Sequence, residues 1–221
     1  MIKAVILDLD DTLYAFEPLH EEAMERVCDY ACKELGITAQ QFEEAYSFGK
    51  NETKRMLGDV ASSHNRVLYC QKALEYLGVS VVPTSLRMYD IYWGTILERM
   101  CLRDGAKEFL NRMHEQGVKV LICTDLTVHI QHRKIETLGI ESDIDYLVTS
   151  EEAGREKPSL EIFTVCLAKL GLSAEEVCCI GDSLVRDVEG ARAAGIQAIL
   201  FQSDKPSRLQ FEDMAKIILG M

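Results

Sequence analysis

The chain has 221 residues, of which 48% are apolar, so it can bury a core large enough for one full domain plus a smaller module. Its 36 acidic side chains outnumber 24 basic ones and leave a net charge of −12, which argues against nucleic acid or an anionic membrane as a partner. The N-terminal apolar run is interrupted by Asp8 and Asp10, so it forms neither a signal peptide nor a spanning helix, and we expect a cytoplasmic protein.

Strand and helix patterns follow each other in a simple order along the chain. Residues 3–7 form a short apolar run that ends in acidic residues, as in a buried parallel strand, whereas residues 14–99 have apolar positions at helical spacing and no convincing strand. Beyond residue 104 the two patterns alternate. Strands are predicted at 118–123, 146–149, 177–180 and 197–201, and helices through Phe109 and Met113 and at 128–138, 159–170 and 187–194. This alternation predicts an α/β fold with a doubly wound parallel sheet.

A helical segment therefore interrupts an α/β core. We assign residues 1–13 and 101–221 to the core and residues 14–100 to the helical insert. The sequence contains no internal repeat and no low-complexity segment that would suggest another arrangement.

Polar side chains are concentrated directly after the predicted strands. Ligands of a doubly wound sheet bind outside the carboxyl ends of the strands, at the point where the strand order reverses. The polar residues in question are Asp8, Asp10 and Thr12 after the first strand, Thr124 and Asp125 after the second, Lys157 after the third, and Gly181, Asp182, Ser183 and Asp187 after the fourth. We expect these residues to form one site.

This set of side chains is suited to a hard cation and an anionic substrate. Carboxylates crowded into one cleft repel each other unless a cation joins them, and magnesium (Mg2+) is a hard cation that takes oxygen ligands and retains waters. Lys157 adds positive charge, and the Thr124 hydroxyl with backbone N–H groups is suited to phosphate oxygens. A carboxylate can attack phosphorus, and a second acid two residues away can protonate the leaving oxygen.

Four motifs resemble those of haloacid dehalogenase-type phosphatases. They are DLDDTL at 8–13, ICTDLT at 122–127, REKPSLEIF at 155–163 and GDSLVRDVEGA at 181–191, and they occur in the order of that family. Each motif is modest evidence alone, but the ordered set at predicted strand ends is highly specific. The resemblance implies a Rossmann-like core with a small helical cap inserted after the first motif, as in phosphoglycolate phosphatases and nucleotidases. In similar enzymes the cap closes over the site and sets specificity.

The resemblance also implies a role for each matching residue. Asp8 would be the nucleophile and a magnesium ligand, and Asp10 would be the general acid and base, with its carbonyl on the metal. Thr124 and Lys157 would bind the transferring phosphoryl group, which makes them catalytic as well, and Asp125 is assigned to the phosphate-binding site with them. Asp182 would hold magnesium, with Asp187 as a weaker candidate ligand.

Two positions depart from the pattern of the family. Asp125 stands where Asn is common, so it adds a negative charge beside the expected phosphate site, and we expect an effect on substrate choice. Ser159 replaces a common Asp after Lys157, and a serine can still cap the following helix.

We therefore predict a magnesium-dependent phosphoric monoester hydrolase that acts on a small phosphorylated metabolite, such as a sugar phosphate or a nucleoside monophosphate, as a monomer or homodimer. A phosphomutase would share every core residue and stays an alternative. A haloacid dehalogenase is disfavoured because such relatives generally lack the second acid, here Asp10. A catalytically silent phosphate-binding protein is disfavoured because Asp8, Asp10 and Lys157 are all present.

Overall fold

The chain folds into two compact units. A computed structural model describes residues 1–221, of which Met1–Ala15 and Cys101–Met221 form one unit and Phe16–Met100 the other. No helix in either unit is both long and apolar enough to cross a membrane.

The first unit is built on a five-stranded parallel sheet, which confirms the predicted fold class. The strands are β1 (Ala4–Leu7), β2 (Lys119–Thr124), β3 (Tyr146–Thr149), β4 (Val177–Gly181) and β5 (Gln197–Leu200), in the order β3-β2-β1-β4-β5. All four residues of β1 are buried, as expected for a strand covered on both faces. The chain builds the sheet outward from β1 on one side and then crosses to the other, so the strand order reverses at β1.

Helices cover both faces of this sheet. They are α5 (Ala106–Glu115), α6 (Val128–Leu138), α7 (Ser150–Ala153), α8 (Leu160–Leu170), α9 (Gly190–Ala193) and α10 (Ser207–Leu219). The helix expected at 187–194 is only partly right, because a π-helical turn at Leu184–Glu189 precedes α9. That turn begins where the Ser183 side chain accepts a hydrogen bond from the Arg186 N–H. Helix α10 was not predicted, although four of its apolar residues are buried at helical spacing: Phe211, Met214, Ala215 and Ile218.

The two ends of the insertion are joined within the first unit. Tyr14 pairs with Leu102 in an isolated antiparallel bridge, and the Arg103 N–H donates to the carbonyl of Leu13 at 2.8 Å. The polypeptide therefore leaves the α/β unit and returns to it at neighbouring points.

The second unit is entirely helical. It contains α1 (Glu17–Leu35), α2 (Ala39–Leu57), α3 (Arg66–Tyr76) and α4 (Thr84–Arg99), with a 3-10 turn at Ala61–His64. Thr38 and Gln41 form a capping box that starts α2. Helices α2 and α3 approach closely, since a Cβ atom added at Gly49 would lie 2.9 Å from the backbone nitrogen of Ala73.

Candidate active site

Asp8 lies at the carboxyl end of the central strand. Its backbone N–H donates to the carbonyl of Ile180 in β4 at 2.9 Å, which continues the pairing of β1 with β4 by one residue. The side chain therefore projects where the strand order of the sheet reverses, which is the position that binds ligands in sheets of this kind. The Thr12 hydroxyl donates to Asp8 Oδ2 at 3.1 Å and so orients the carboxylate.

Lys157 joins Asp8 to a second buried carboxylate. Its Nζ atom lies 2.6 Å from Asp8 Oδ1 and 2.6 Å from Asp187 Oδ1, and it also donates to the carbonyl of Cys123 at 3.2 Å. All three charged side chains are buried, since Lys157 is 3% exposed, Asp8 is 8% exposed and Asp187 is 2% exposed. Ion pairs that are this deeply buried are little screened by solvent.

A third carboxylate makes the cluster too negative for one lysine. Carboxylate oxygens of Asp8, Asp182 and Asp187 all lie within 4.8 Å of one another. Burial raises the pKa of Asp8 well above its usual value, Lys157 opposes that rise, and Asp187 adds to it. Burial and the charge of Asp187 also raise the pKa of Asp182 to about 6. The excess of negative charge, presented by oxygen ligands alone, fits a hard divalent cation such as magnesium.

The backbone around Asp187 holds its carboxylate in this cluster. The Ser183 N–H donates to Asp187 Oδ2 at 2.9 Å, and this hydrogen bond spans the beginning of the π-helical turn. Gly181 gives the side chain room, because a Cβ atom at that position would lie 2.6 Å from the Cβ of Asp187. The turn, the serine and the glycine of the fourth motif thus serve to direct one acid into the site.

Asp10 belongs to a separate ion pair. Lys134 Nζ lies 2.6 Å from Asp10 Oδ1, the Tyr14 hydroxyl donates to the same oxygen, and Gln131 Nε2 donates to Oδ2 at 3.2 Å. Burial tends to raise the pKa of Asp10, but Lys134 and these hydrogen bonds outweigh it, so the pKa is lowered. In this arrangement Asp10 is a carboxylate.

The partners of Asp10 were not found by reasoning from the sequence. Gln131 and Lys134 are 0% exposed although both are polar, whereas His129 and His132 on the same helix are exposed. The signal was their position in the apolar stripe of α6, since Gln131 precedes the buried Ile135 by four residues.

Thr124 and Asp125 follow β2 on the same edge of the sheet. The buried Thr124 hydroxyl accepts a hydrogen bond from Gln131 Nε2 at 2.6 Å, so Gln131 contacts both Thr124 and Asp10. Asp125 Oδ1 accepts the backbone N–H of Lys157 at 3.0 Å, and Oδ2 lies 3.3 Å from Arg186 Nη1. The Asp125 carboxyl group is thereby engaged in holding the Lys157 loop, and burial raises its pKa.

The seven residues selected from the sequence therefore lie at one edge of the sheet in three connected groups. Asp8, Lys157, Asp182 and Asp187 form the first, Asp10 and Thr124 share Gln131 in the second, and Asp125 braces the loop that carries Lys157. The arrangement combines three groups. They are the buried carboxylate of Asp8, which faces the carboxylates of Asp182 and Asp187, the ammonium group of Lys157, and the second acid, Asp10.

The parallel sheet with strand order β3-β2-β1-β4-β5 and the acidic site at the end of β1 can be compared with known protein families. The model of the haloacid dehalogenase-like hydrolases matches residues 2–195, and the chain belongs to that family.

The chain aligns over most of its length with relatives whose activity is named. It is 41% identical over 210 residues to the ribulose-1,5-bisphosphate 5-phosphatase of Halopiger xanaduensis, which covers 94% of this chain and 87% of that protein. It is 31% identical over 206 residues to the glyceraldehyde 3-phosphate phosphatase of Methanopyrus kandleri, covering 93% and 86% of the two chains. Among solved structures, a haloacid dehalogenase-type phosphatase from Thermococcus onnurineus superposes with a TM-score of 0.72 at 23% identity, covering 91% of this chain and 86% of that one. The family resemblance that the four motifs indicated is confirmed.

Proposed function

We propose that this hydrolase is a magnesium-dependent phosphatase of a small phosphorylated sugar, and that it transfers the phosphoryl group to Asp8 and then to water. The observation that carries the proposal is the buried network of Asp8, Lys157 and Asp187 beside Asp182. A carboxylate oriented by Thr12 and flanked by a fixed ammonium group is suited to attack a phosphate ester, because the lysine neutralises part of the repulsion between two anions.

Three side chains of the chain would bind magnesium. Asp8, Asp182 and Asp187 supply the oxygens, with the Asp10 carbonyl as a further ligand implied by the motif. When bound there, magnesium would compensate the excess negative charge and polarise the phosphoryl group.

Asp10 would move the protons of the reaction. For the first step it donates a proton to the leaving ester oxygen, and for the second it removes a proton from the attacking water. In its contact with Lys134 it is ionised, which is the form that the second step requires. Donation in the first step requires Asp10 to be protonated and therefore to loosen this contact. Thr124 and Lys157 would hold the phosphoryl oxygens through both steps.

The relatives favour a sugar phosphate over a nucleoside monophosphate. The two closely matching curated relatives act on ribulose 1,5-bisphosphate and on glyceraldehyde 3-phosphate, which are both short phosphorylated sugars. The larger identity, 41%, is to the enzyme that acts on a bisphosphate. We therefore expect sugar bisphosphates to be among the good substrates, and we expect the helical unit to act as the cap that selects among them.

A substrate panel tests the proposed function. Release of orthophosphate is measured with magnesium from sugar mono- and bisphosphates, nucleoside monophosphates and an aryl phosphate, and then again in excess chelator. Hydrolysis that stops on chelation and returns with magnesium supports the proposal. Asp8→Asn should abolish turnover, whereas Asp213→Asn, a matched change of an exposed acid on α10, should preserve it. Full turnover in chelator, or turnover by Asp8→Asn, would contradict the assignment.

A further inference from the structure

The helical unit contains a half-buried arginine, Arg66, that is not paired with an acid. Arg66 is the first residue of α3, and its Nη1 atom donates to the carbonyl of His64 at 3.0 Å while Nη2 donates to the Tyr92 hydroxyl at 3.3 Å. The guanidinium carbon also lies 5.1 Å from the ring centres of both Tyr69 and Tyr92. All of these partners are neutral.

Arg66 also retains unused hydrogen-bond donors. A guanidinium group has five N–H bonds, and the two hydrogen bonds described leave three of them free, including the one on Nε. The Nε atom is buried and has no acceptor within hydrogen-bonding distance. A buried charged donor without an acceptor is unfavourable, so a ligand that supplies oxygen acceptors would be stabilised there.

Two further basic side chains lie near this arginine. His20 Nδ1 is 2.7 Å from the Tyr92 hydroxyl, and burial together with the positive charges of Arg66 and Lys50 lowers the pKa of His20 to about 4. The Tyr92 hydroxyl thus joins the two side chains, since its oxygen accepts from Arg66 Nη2 and it also hydrogen-bonds His20 Nδ1. A neutral imidazole has one N–H group and is therefore a donor without a charge.

Each of the four helices of the unit contributes one member to this cluster. His20 lies on α1, Lys50 on α2, Arg66 on α3 and Tyr92 on α4. Lys50 is exposed and forms no ion pair. Arg66 and the neutral His20 therefore meet at Tyr92 without an acid between them, and Lys50 adds a third basic side chain to the electrostatic surroundings of His20, in a protein whose net charge is −12.

We propose that Arg66, Lys50, His20 and Tyr92 form an anion site that binds a phosphate group. An arginine fork and a lysine are the side chains that recognise phosphate oxygens, and the multiple free donors match several oxygens better than the two of a carboxylate. The group has two possible sources with the same chemistry, namely a second phosphate of a bisphosphorylated sugar and free orthophosphate. The first source rests on the proposed function and the second does not.

Kinetics with two sugars test the first source. The KM for ribulose 1,5-bisphosphate, for the same pentulose with one phosphate, and for an aryl phosphate is measured on the parent and on Arg66→Met, Lys50→Met and Arg87→Met. Arg87 is an exposed arginine on α4 outside the cluster, so its variant is the matched control. A rise in KM of at least tenfold for the bisphosphate in the two cluster variants, with the aryl phosphate unchanged, supports the site with the substrate as its source.

Binding of orthophosphate tests the second source independently of turnover. Titration calorimetry is performed on the same four proteins in a phosphate-free buffer, and also on Asp8→Asn, which removes the catalytic carboxylate. Binding that is lost in both cluster variants but retained in Arg87→Met and Asp8→Asn supports the site with a free anion as its source.

Lys50→Met changes an exposed side chain, so it remains informative if Arg66→Met does not fold. Unchanged KM values together with unchanged phosphate binding in Lys50→Met and Arg66→Met would overturn the proposal. If the parent hydrolyses no phosphate ester, the proposed function fails while calorimetry still decides the site.

Discussion

Replacing Lys157 with methionine should destabilise the α/β unit through electrostatics more than through packing. The substitution keeps the length and apolar stem of the side chain but removes the ammonium group that lies 2.6 Å from both Asp8 and Asp187. Removal of one partner from a buried ion pair typically costs about 3–5 kcal/mol, because the remaining charge is left uncompensated. For a domain of this size such a loss corresponds to a fall in Tm of roughly 6–20 °C.

The dependence of this loss on pH and on magnesium identifies its origin. Burial and neighbouring acids already raise the pKa of Asp8, and without Lys157 it rises further. A carboxylate whose pKa is higher in the folded than in the unfolded chain stabilises the fold when protonated and destabilises it when ionised. The loss in free energy of unfolding of Lys157→Met should therefore be greatest near pH 8 and smaller at pH 5. Magnesium at neutral pH should recover part of the deficit, since it would compensate the same carboxylates.

Denaturant unfolding of four proteins provides the measurement. They are the parent, Lys157→Met, the double variant Lys157→Met/Asp187→Asn, and Lys216→Met, in which an exposed lysine on α10 is changed as a matched control. The double variant should be more stable than Lys157→Met by about 0.5–3 kcal/mol, because Asp187→Asn removes one of the unpaired charges. Lys216→Met should unfold like the parent. Equal stability of Lys157→Met and the parent at pH 8, or a further loss in the double variant, would refute this reasoning.

Three other perturbations have defined outcomes. Asp10→Ala should still accept a phosphoryl group from an aryl phosphate but should hydrolyse the resulting aspartyl phosphate about a hundredfold to ten-thousandfold more slowly. Intact-mass measurement after rapid quench should therefore find phosphorylated Asp8. Turnover at the parent rate would contradict the assigned role. Gly181→Ala should cost about 1–3 kcal/mol and weaken magnesium binding measured by calorimetry, because the new Cβ would collide with Asp187; parent-like affinity and stability would show that the turn yields easily. His20 has a folded pKa of about 4, below that of the unfolded chain, so its contribution to stability is present above pH 6.5 and is lost as the pH falls toward 4. His20→Asn should flatten the decline in Tm over that interval, and an unchanged decline would argue against this interpretation.

The fold and the acidic part of the site follow from local sequence for a physical reason. A strand buried on both faces must be apolar throughout, so polar residues such as Asp8 are confined to its end, and parallel strands bring those ends to one edge. The placement of Asp8, Asp182 and Asp187 within one cluster agrees with that expectation.

The electrostatic partners of the acids were not predictable in the same way. Lys134 and Gln131 are polar residues at core-facing positions of α6, and sequence alone does not reveal that an acid from the loop after β1 lies opposite them. Sequence alone also does not reveal that the carboxylate of Asp125 binds the backbone N–H of Lys157 and the side chain of Arg186, and its influence on a phosphate site stays a prediction. Contacts of this kind join residues 32 to 124 positions apart, and no local pattern encodes them.

The bridge between Tyr14 and Leu102 lowers the entropic cost of inserting the helical segment. Since its two ends meet within the α/β unit, the closed segment adds a loop whose entropic cost grows only slowly with its length. Chain termini that lie close together are also what permits one domain to be inserted into another. A gene encoding this sheet can therefore exchange, lengthen or shorten the inserted segment without moving the strand that precedes Asp8.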